Sequence, residues 1–96
     1  MNIMFAKNEY FDGKVASLAF EGNEGKATCG VMAAGEYVFG TSTIEIMTVV
    51  SGEMDVKLPG ETEYKTYKKF ETFEVAKDVK FGVRVAADTA YLCLYK

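Results

Sequence analysis

Glu53-Met54-Asp55-Val56-Lys57-Leu58 alternates a charged with an apolar side chain at every step. That period of two is the signature of a strand with one face in a core and the other in water. Lys80-Phe81-Gly82-Val83-Arg84-Val85 repeats the pattern, with Phe81, Val83 and Val85 on one side. Thr89-Ala90-Tyr91-Leu92-Cys93-Leu94-Tyr95 carries no charge, which predicts cover on both of its faces. Working outward, Lys14–Phe20, Lys26–Met32, Glu36–Phe39 and Ile44–Val50 read as strands, with Tyr64–Tyr67 and Thr72–Val75 as shorter ones. Asn23-Glu24-Gly25, Ala33-Ala34-Gly35, Ser51-Gly52, Pro59-Gly60 and Ala87-Asp88 supply the turn chemistry between them. About nine short strands without an amphipathic helix predict an all-β sandwich or small barrel.

The chain has 96 residues, room for one hydrophobic core and so a single domain over 1–96. Its net charge of −3 argues against nucleic acid as a partner, because that surface must be basic. No apolar run is long enough to span a bilayer, and Met1–Lys7 lacks the pattern of a signal peptide. A cytoplasmic protein is expected. There, Cys29 and Cys93 read as two buried, reduced thiols. Lys65-Thr66-Tyr67-Lys68-Lys69 reads as a solvated hairpin face. Histidine is absent. That removes every Ser-His-Asp, Cys-His and His-metal arrangement and leaves acid–base work to carboxylates, Tyr, Lys, Cys, substrate or water.

Gly35-Glu36-Tyr37-Val38-Phe39-Gly40-Thr41, followed by Glu45 and Gly52, resembles the first conserved motif of the cupins. Thr41 stands at one motif histidine from either anchor; the other falls on Thr43 or Phe39, depending on the anchor chosen. In the second motif Phe81 takes the histidine position. The resemblance implies a cupin-like double-stranded β-helix, a jelly-roll barrel. With its ligand positions otherwise occupied, Glu45 alone is too small a donor set for a transition metal.

A closer resemblance runs along the chain through Asn8–Val15, Gly30-Val31-Met32 with Gly35-Glu36-Tyr37 and Phe39, Glu45 with Met47-Thr48-Val49, and Tyr91-Leu92-Cys93 with Tyr95. In this order and at this length the sequence is similar to the small single-domain cupin type of pyrimidine/purine nucleoside phosphorylases. The turn Val75-Ala76-Lys77-Asp78 departs from the Pro-containing turn common in that family. The resemblance implies phosphorolysis of both purine and pyrimidine nucleosides, to free base and ribose 1-phosphate. It also implies a homodimer and no cofactor, with orthophosphate as co-substrate. The alternative is a non-catalytic cupin that binds a small sugar or nucleotide-like ligand.

For that chemistry Glu45 is the candidate catalytic residue. It shares a strand face with Met47 and Val49, and its carboxylate could meet ribose hydroxyls or the sugar's developing positive charge. Thr41, Ser42 and Thr43 offer hydroxyls and backbone N–H groups beside Gly40, either as a phosphate cradle or as a polar turn. Tyr91 and Tyr95 share one face of the last strand and could stack a base, or could serve the core or a dimer interface. Arg84 is the sole arginine and suits phosphate, although alternation turns it away from Phe81, Val83 and Val85. The Asn8-Glu9-Tyr10-Phe11 stretch could seal the barrel or cross to a second subunit.

Overall fold

A computed structural model describes residues 5–96, and among these the chain is built from strands alone. In chain order they are β1 (Ala6–Tyr10), β2 (Val15–Gly22), β3 (Gly25–Met32), β4 (Gly35–Gly40) and β5 (Glu45–Ser51). β6 (Met54–Lys57), β7 (Lys65–Tyr67), β8 (Thr72–Val75), β9 (Lys80–Val85) and β10 (Thr89–Tyr95) complete the set. Six strands form one sheet in the order β1-β2-β3-β10-β5-β8, and four form the other in the order β4-β9-β6-β7. The pairings are antiparallel, and the sheets face each other as a jelly roll, as the sequence predicts. No helix among the described residues is long and apolar enough to cross a membrane.

Alternation places the core. Met54 and Val56 of β6, Val83 of β9 and Val49 of β5 are wholly buried. Asp55, Lys57 and Arg84 lie on the opposite, outer side of their strands. Aromatic rings bind the two layers: Tyr67 meets Phe73 at 4.7 Å, Phe73 meets Phe81 at 6.5 Å, and Phe81 meets Phe39 at 5.8 Å. Gly30 of β3 allows another close approach. A Cβ there would lie 2.7 Å from the Tyr91 hydroxyl and 2.8 Å from the Ala16 carbonyl oxygen.

Three features differ from the sequence reading. β1 is an additional strand, paired along one edge only, to β2. β10 is covered on one face rather than two: Thr89, Tyr91 and Cys93 are buried, whereas Ala90, Leu92 and Leu94 are only half-buried. The four-stranded sheet covers the inner side, and nothing among the described residues covers the outer. Cys29 is exposed rather than buried, because its register opposite Leu18 and Leu92 sets it on that same outer face.

Candidate active site

The inward positions of the six-stranded sheet change character along its strands. β5 runs from half-buried Glu45 through Met47 to fully buried Val49, and β10 pairs Tyr95 with Glu45, Cys93 with Met47, and Tyr91 with Val49. Toward the other edge, Cys93 pairs with Thr28 and Tyr91 with Gly30, while Ser17 of β2 lies opposite both Gly30 and Asn8. Amide, hydroxyl, thiol and carboxyl groups therefore run diagonally over the inner face, from Asn8 on β1 to Glu45 on β5. Above it lies a cavity of about 330 Å³ whose lining includes Asn8, Ser17, Thr28 and Glu45.

The facing wall is aromatic. Phe39 and Phe81 are register partners on β4 and β9 and both line the cavity. Phe11, from the turn after β1, reaches over to Tyr37 at 5.0 Å and meets Phe39 edge-on at 5.7 Å. The cavity thus has a polar floor and an apolar roof, which suits a ligand with a sugar on one side and a flat ring on the other.

Among the described residues Glu45 is the one carboxylate that lines the chamber, and no Lys or Arg joins it. Burial raises its pKa from the ordinary carboxylate value, and a hydrogen bond from Cys93 opposes the rise; the thiol donates to Oε1 across 3.5 Å. Burial, together with the neighbouring Glu45 charge, pushes the Cys93 thiol up to about 12. Burial likewise pushes the Tyr91 phenol up to about 12, with Ser17 working the other way. The Tyr95 phenol is raised by burial, partly offset by the Thr28 hydroxyl 2.9 Å away. Near neutral pH these thiol and phenol groups stay protonated around the carboxyl group.

Of the residues singled out in the sequence, Glu45, Tyr91 and Tyr95 come together in this chamber. Thr41 does not join them. Its hydroxyl donates to the Ala76 carbonyl at 2.7 Å and accepts from the Val79 N–H at 3.1 Å, tying the loop after β4 to the β8–β9 turn. Ser42 and Thr43 line a neighbouring open depression with Lys26, and this depression shares Thr28 and Tyr95 with the chamber. Arg84 lies on the outside of the four-stranded sheet. There it donates to Asp55 at 2.9 Å and stacks 4.0 Å from the Tyr64 ring centroid. Its exposure and its partners keep it away from the chamber.

Asn8, Ser17, Thr28 and Phe11 are chamber residues to which the sequence reading assigned no ligand contact. Ser17 and Thr28 carry a usable signal, since a hydroxyl at the inward position of an otherwise apolar strand marks a polar cavity. Phe39 and Phe81 carry another. Together with Glu45, Phe81 and, from one of the two anchors, Phe39 occupy positions where the cupin motifs would place ligands, and all three border this cavity. The donor set does not fit a metal ion: it offers one carboxylate, a thiol held protonated and several hydroxyls, with rings in place of imidazoles. Among the described residues no group of three or more His, Cys, Asp or Glu side chains is placed to hold one.

The sequence profile of the family described as pyrimidine/purine nucleoside phosphorylase (Ppnp) matches residues 5–95. A "Pyrimidine/purine nucleoside phosphorylase" of Pseudomonas putida (strain W619) is 60% identical over 93 residues, covering 97% of this chain and 99% of the relative. Among solved structures, a Vibrio parahaemolyticus protein described as of unknown function superposes with a TM-score of 0.89 at 44% identity, covering 93% of this chain and 95% of that one. An RmlC-like cupin from Shewanella frigidimarina NCIMB 400 shares the fold, with a TM-score of 0.70 at 18% identity over 95% of this chain and 91% of that one.

Proposed function

The chain belongs to the pyrimidine/purine nucleoside phosphorylase family, and from that premise we infer its reaction: a nucleoside and orthophosphate give a free base and ribose 1-phosphate. A phosphate oxygen attacks C1′ of the ribose as the C1′–N bond breaks. The bonding electron pair leaves with the base nitrogen, which then takes a proton from water. By analogy with glycoside cleavage, the transition state carries positive charge on the sugar and negative charge on the departing base.

One observation carries the assignment of the site: Glu45 faces a chamber with a polar floor and an aromatic roof. Its carboxylate opposes the developing sugar cation and accepts from a ribose hydroxyl. In a partly desolvated site such a fixed charge acts more strongly than it would in water. Tyr91, Tyr95 and Thr28 keep their hydroxyl protons and hold the remaining ribose oxygens. Catalysis then rests on placement and electrostatics, which a chain without histidine can supply.

Orthophosphate approaches from the adjoining depression, where Ser42 and Thr43 offer hydroxyls beside Thr28 and Tyr95, and Lys26 offers a cation that must turn from its cross-strand neighbour Glu21 to meet it. Thr41 and Arg84 have no part in this arrangement, because their polar groups are engaged elsewhere. Phosphate is the second substrate, and the proposed reaction uses no resident cofactor.

The protein works as a homodimer in this reading. The outer face of the six-stranded sheet aligns Leu18 with Cys29 and Leu92, and Ala16 with Val31 and Ala90. Leu18 and Val31 are each about half exposed. A contiguous apolar face of this kind is self-complementary under a two-fold axis. Two free thiols, one of them exposed, accord with a reducing cytoplasm.

The test is product formation by purified protein from inosine and from uridine, with and without orthophosphate. Free base that appears only with phosphate supports the reading. No base from either nucleoside, or equal release without phosphate, rejects it.

A further inference from the structure

We propose that Phe11 is a substrate-positioning residue that closes over the nucleobase and holds it against the Phe39–Phe81 wall. This rests on the phosphorolysis reading above and adds a substrate contact to it.

The backbone at this position is unusual. Phe11 and Asp12 both adopt left-handed φ angles, 53° and 58°, and Gly13 follows at 84°. The Gly13 N–H closes the turn on the Tyr10 carbonyl at 3.1 Å. Two successive left-handed residues in a hairpin are ordinarily Asn or Asp followed by Gly, since a side chain with a bulky ring disfavours this region. A phenylalanine here is the wrong residue for the turn, so its ring must serve something other than the backbone.

What the ring does is visible in its surroundings. It lines the chamber and packs on Tyr37 and Phe39, yet remains 43% exposed. It therefore borders the mouth of the cavity rather than filling the core. The strand that delivers it is held along one edge only, by β2, and the same strand turns Asn8 and Tyr10 toward the cavity. Tyr10 too is half exposed. An edge strand with this little support can lift and reseat without disturbing the sheets.

The occupant follows from the chemistry. Phe11, Phe39 and Phe81 present faces and edges of rings and no hydrogen-bonding group. A flat aromatic ring packed there is recognised by its π-face while its hydrogen-bonding edge goes unread. Purines and pyrimidines satisfy such a site equally well in kind, and purines offer the larger area.

Phe11→Asn tests this without breaking the turn, because asparagine tolerates the left-handed region. The expected result is a rise of about tenfold or more in KM for nucleosides, the scale of one lost aromatic–base stack. KM for orthophosphate stays within twofold, kcat at saturation is largely kept, and inosine suffers more than uridine. Phe11→Tyr restores wild-type behaviour. If Phe11→Asn leaves nucleoside KM unchanged, or raises both KM values alike, the proposal fails and the ring is only packing. Calorimetric titration of hypoxanthine and uracil onto the wild type and Phe11→Asn separates the proposal from the reaction itself. Weaker base binding in the variant supports the contact even if no turnover is found, and equal or absent binding in both proteins overturns it.

Discussion

The two halves of the barrel are built alike and filled differently. Where β5 and β8 face β6 and β7, the interior is solid: Val49, Met54 and Val56 have no exposed surface, and Tyr67 stacks on Phe73. Where β1, β2, β3, β10 and the Glu45 end of β5 face β4 and the Phe81 end of β9, the same alternation points hydroxyls, a thiol and a carboxyl group into a cavity. Six strands opposed by four leave part of the larger sheet without a full partner layer. The solid half supplies the apolar burial that stabilises the fold. The hollow half can then hold groups that a packed core would exclude.

Glu45→Gln puts the sharpest strain on this division. It should lower kcat/KM by about 100- to 1,000-fold, the usual scale for losing one fixed electrostatic contact in a transition state. Stability should not fall. Burial raises the pKa of Glu45 in the folded protein, so its contribution to stability is fullest below the unfolded value and declines as pH rises through the folded one. Gln removes that decline, and urea midpoints across pH 4–8 should be flatter for the variant than for the wild type. A variant that melts earlier at pH 7 would mean that Glu45 belongs to the scaffold.

Met54→Ala is the converse probe. Truncating a fully buried methionine should cost about 2–5 kcal/mol in chemical denaturation, with KM for nucleoside and phosphate unchanged at a temperature where the variant is folded. A raised KM would show that the halves are coupled.

Val31→Asp tests the outer side of the hollow half. A charge on that apolar face should convert the proposed dimer to a monomer by sedimentation; an unchanged dimer would place the contact elsewhere, and a monomeric wild type would reject the dimer itself. The smallest effect is expected on the outside of the other sheet. There, hydrogen bonds from Thr66 and then Arg84 hold the Asp55 carboxyl below its usual range. Its stabilisation is present above the unfolded pKa and lost as pH falls through the folded one. Asp55→Asn should therefore flatten only the acid limb of stability, by a small margin for so exposed a pair.

This division also explains what the sequence disclosed. Strands over the solid half announce themselves because their inward residues are apolar, as in Met54, Val56 and Leu58. β1 does not, since its inward positions Asn8 and Tyr10 line the hollow side, and a polar cavity erases the alternation. Glu45 was legible as a carboxylate on an apolar strand face, and Arg84 was legible as an outward residue. Thr41 was not, because whether a loop hydroxyl faces a ligand or stitches two turns depends on contacts distant in sequence. Cys29 misled for a related reason: an apolar run looks the same whether a second layer or solvent lies beyond it.

A structure with ribose 1-phosphate bound tests the account most directly. The ribosyl ring should lie on the chamber floor within hydrogen-bonding distance of Glu45 and Tyr95, with its phosphate toward Ser42, Thr43 and Lys26. A ligand seated on the outer face of either sheet, with the chamber unchanged, would contradict it.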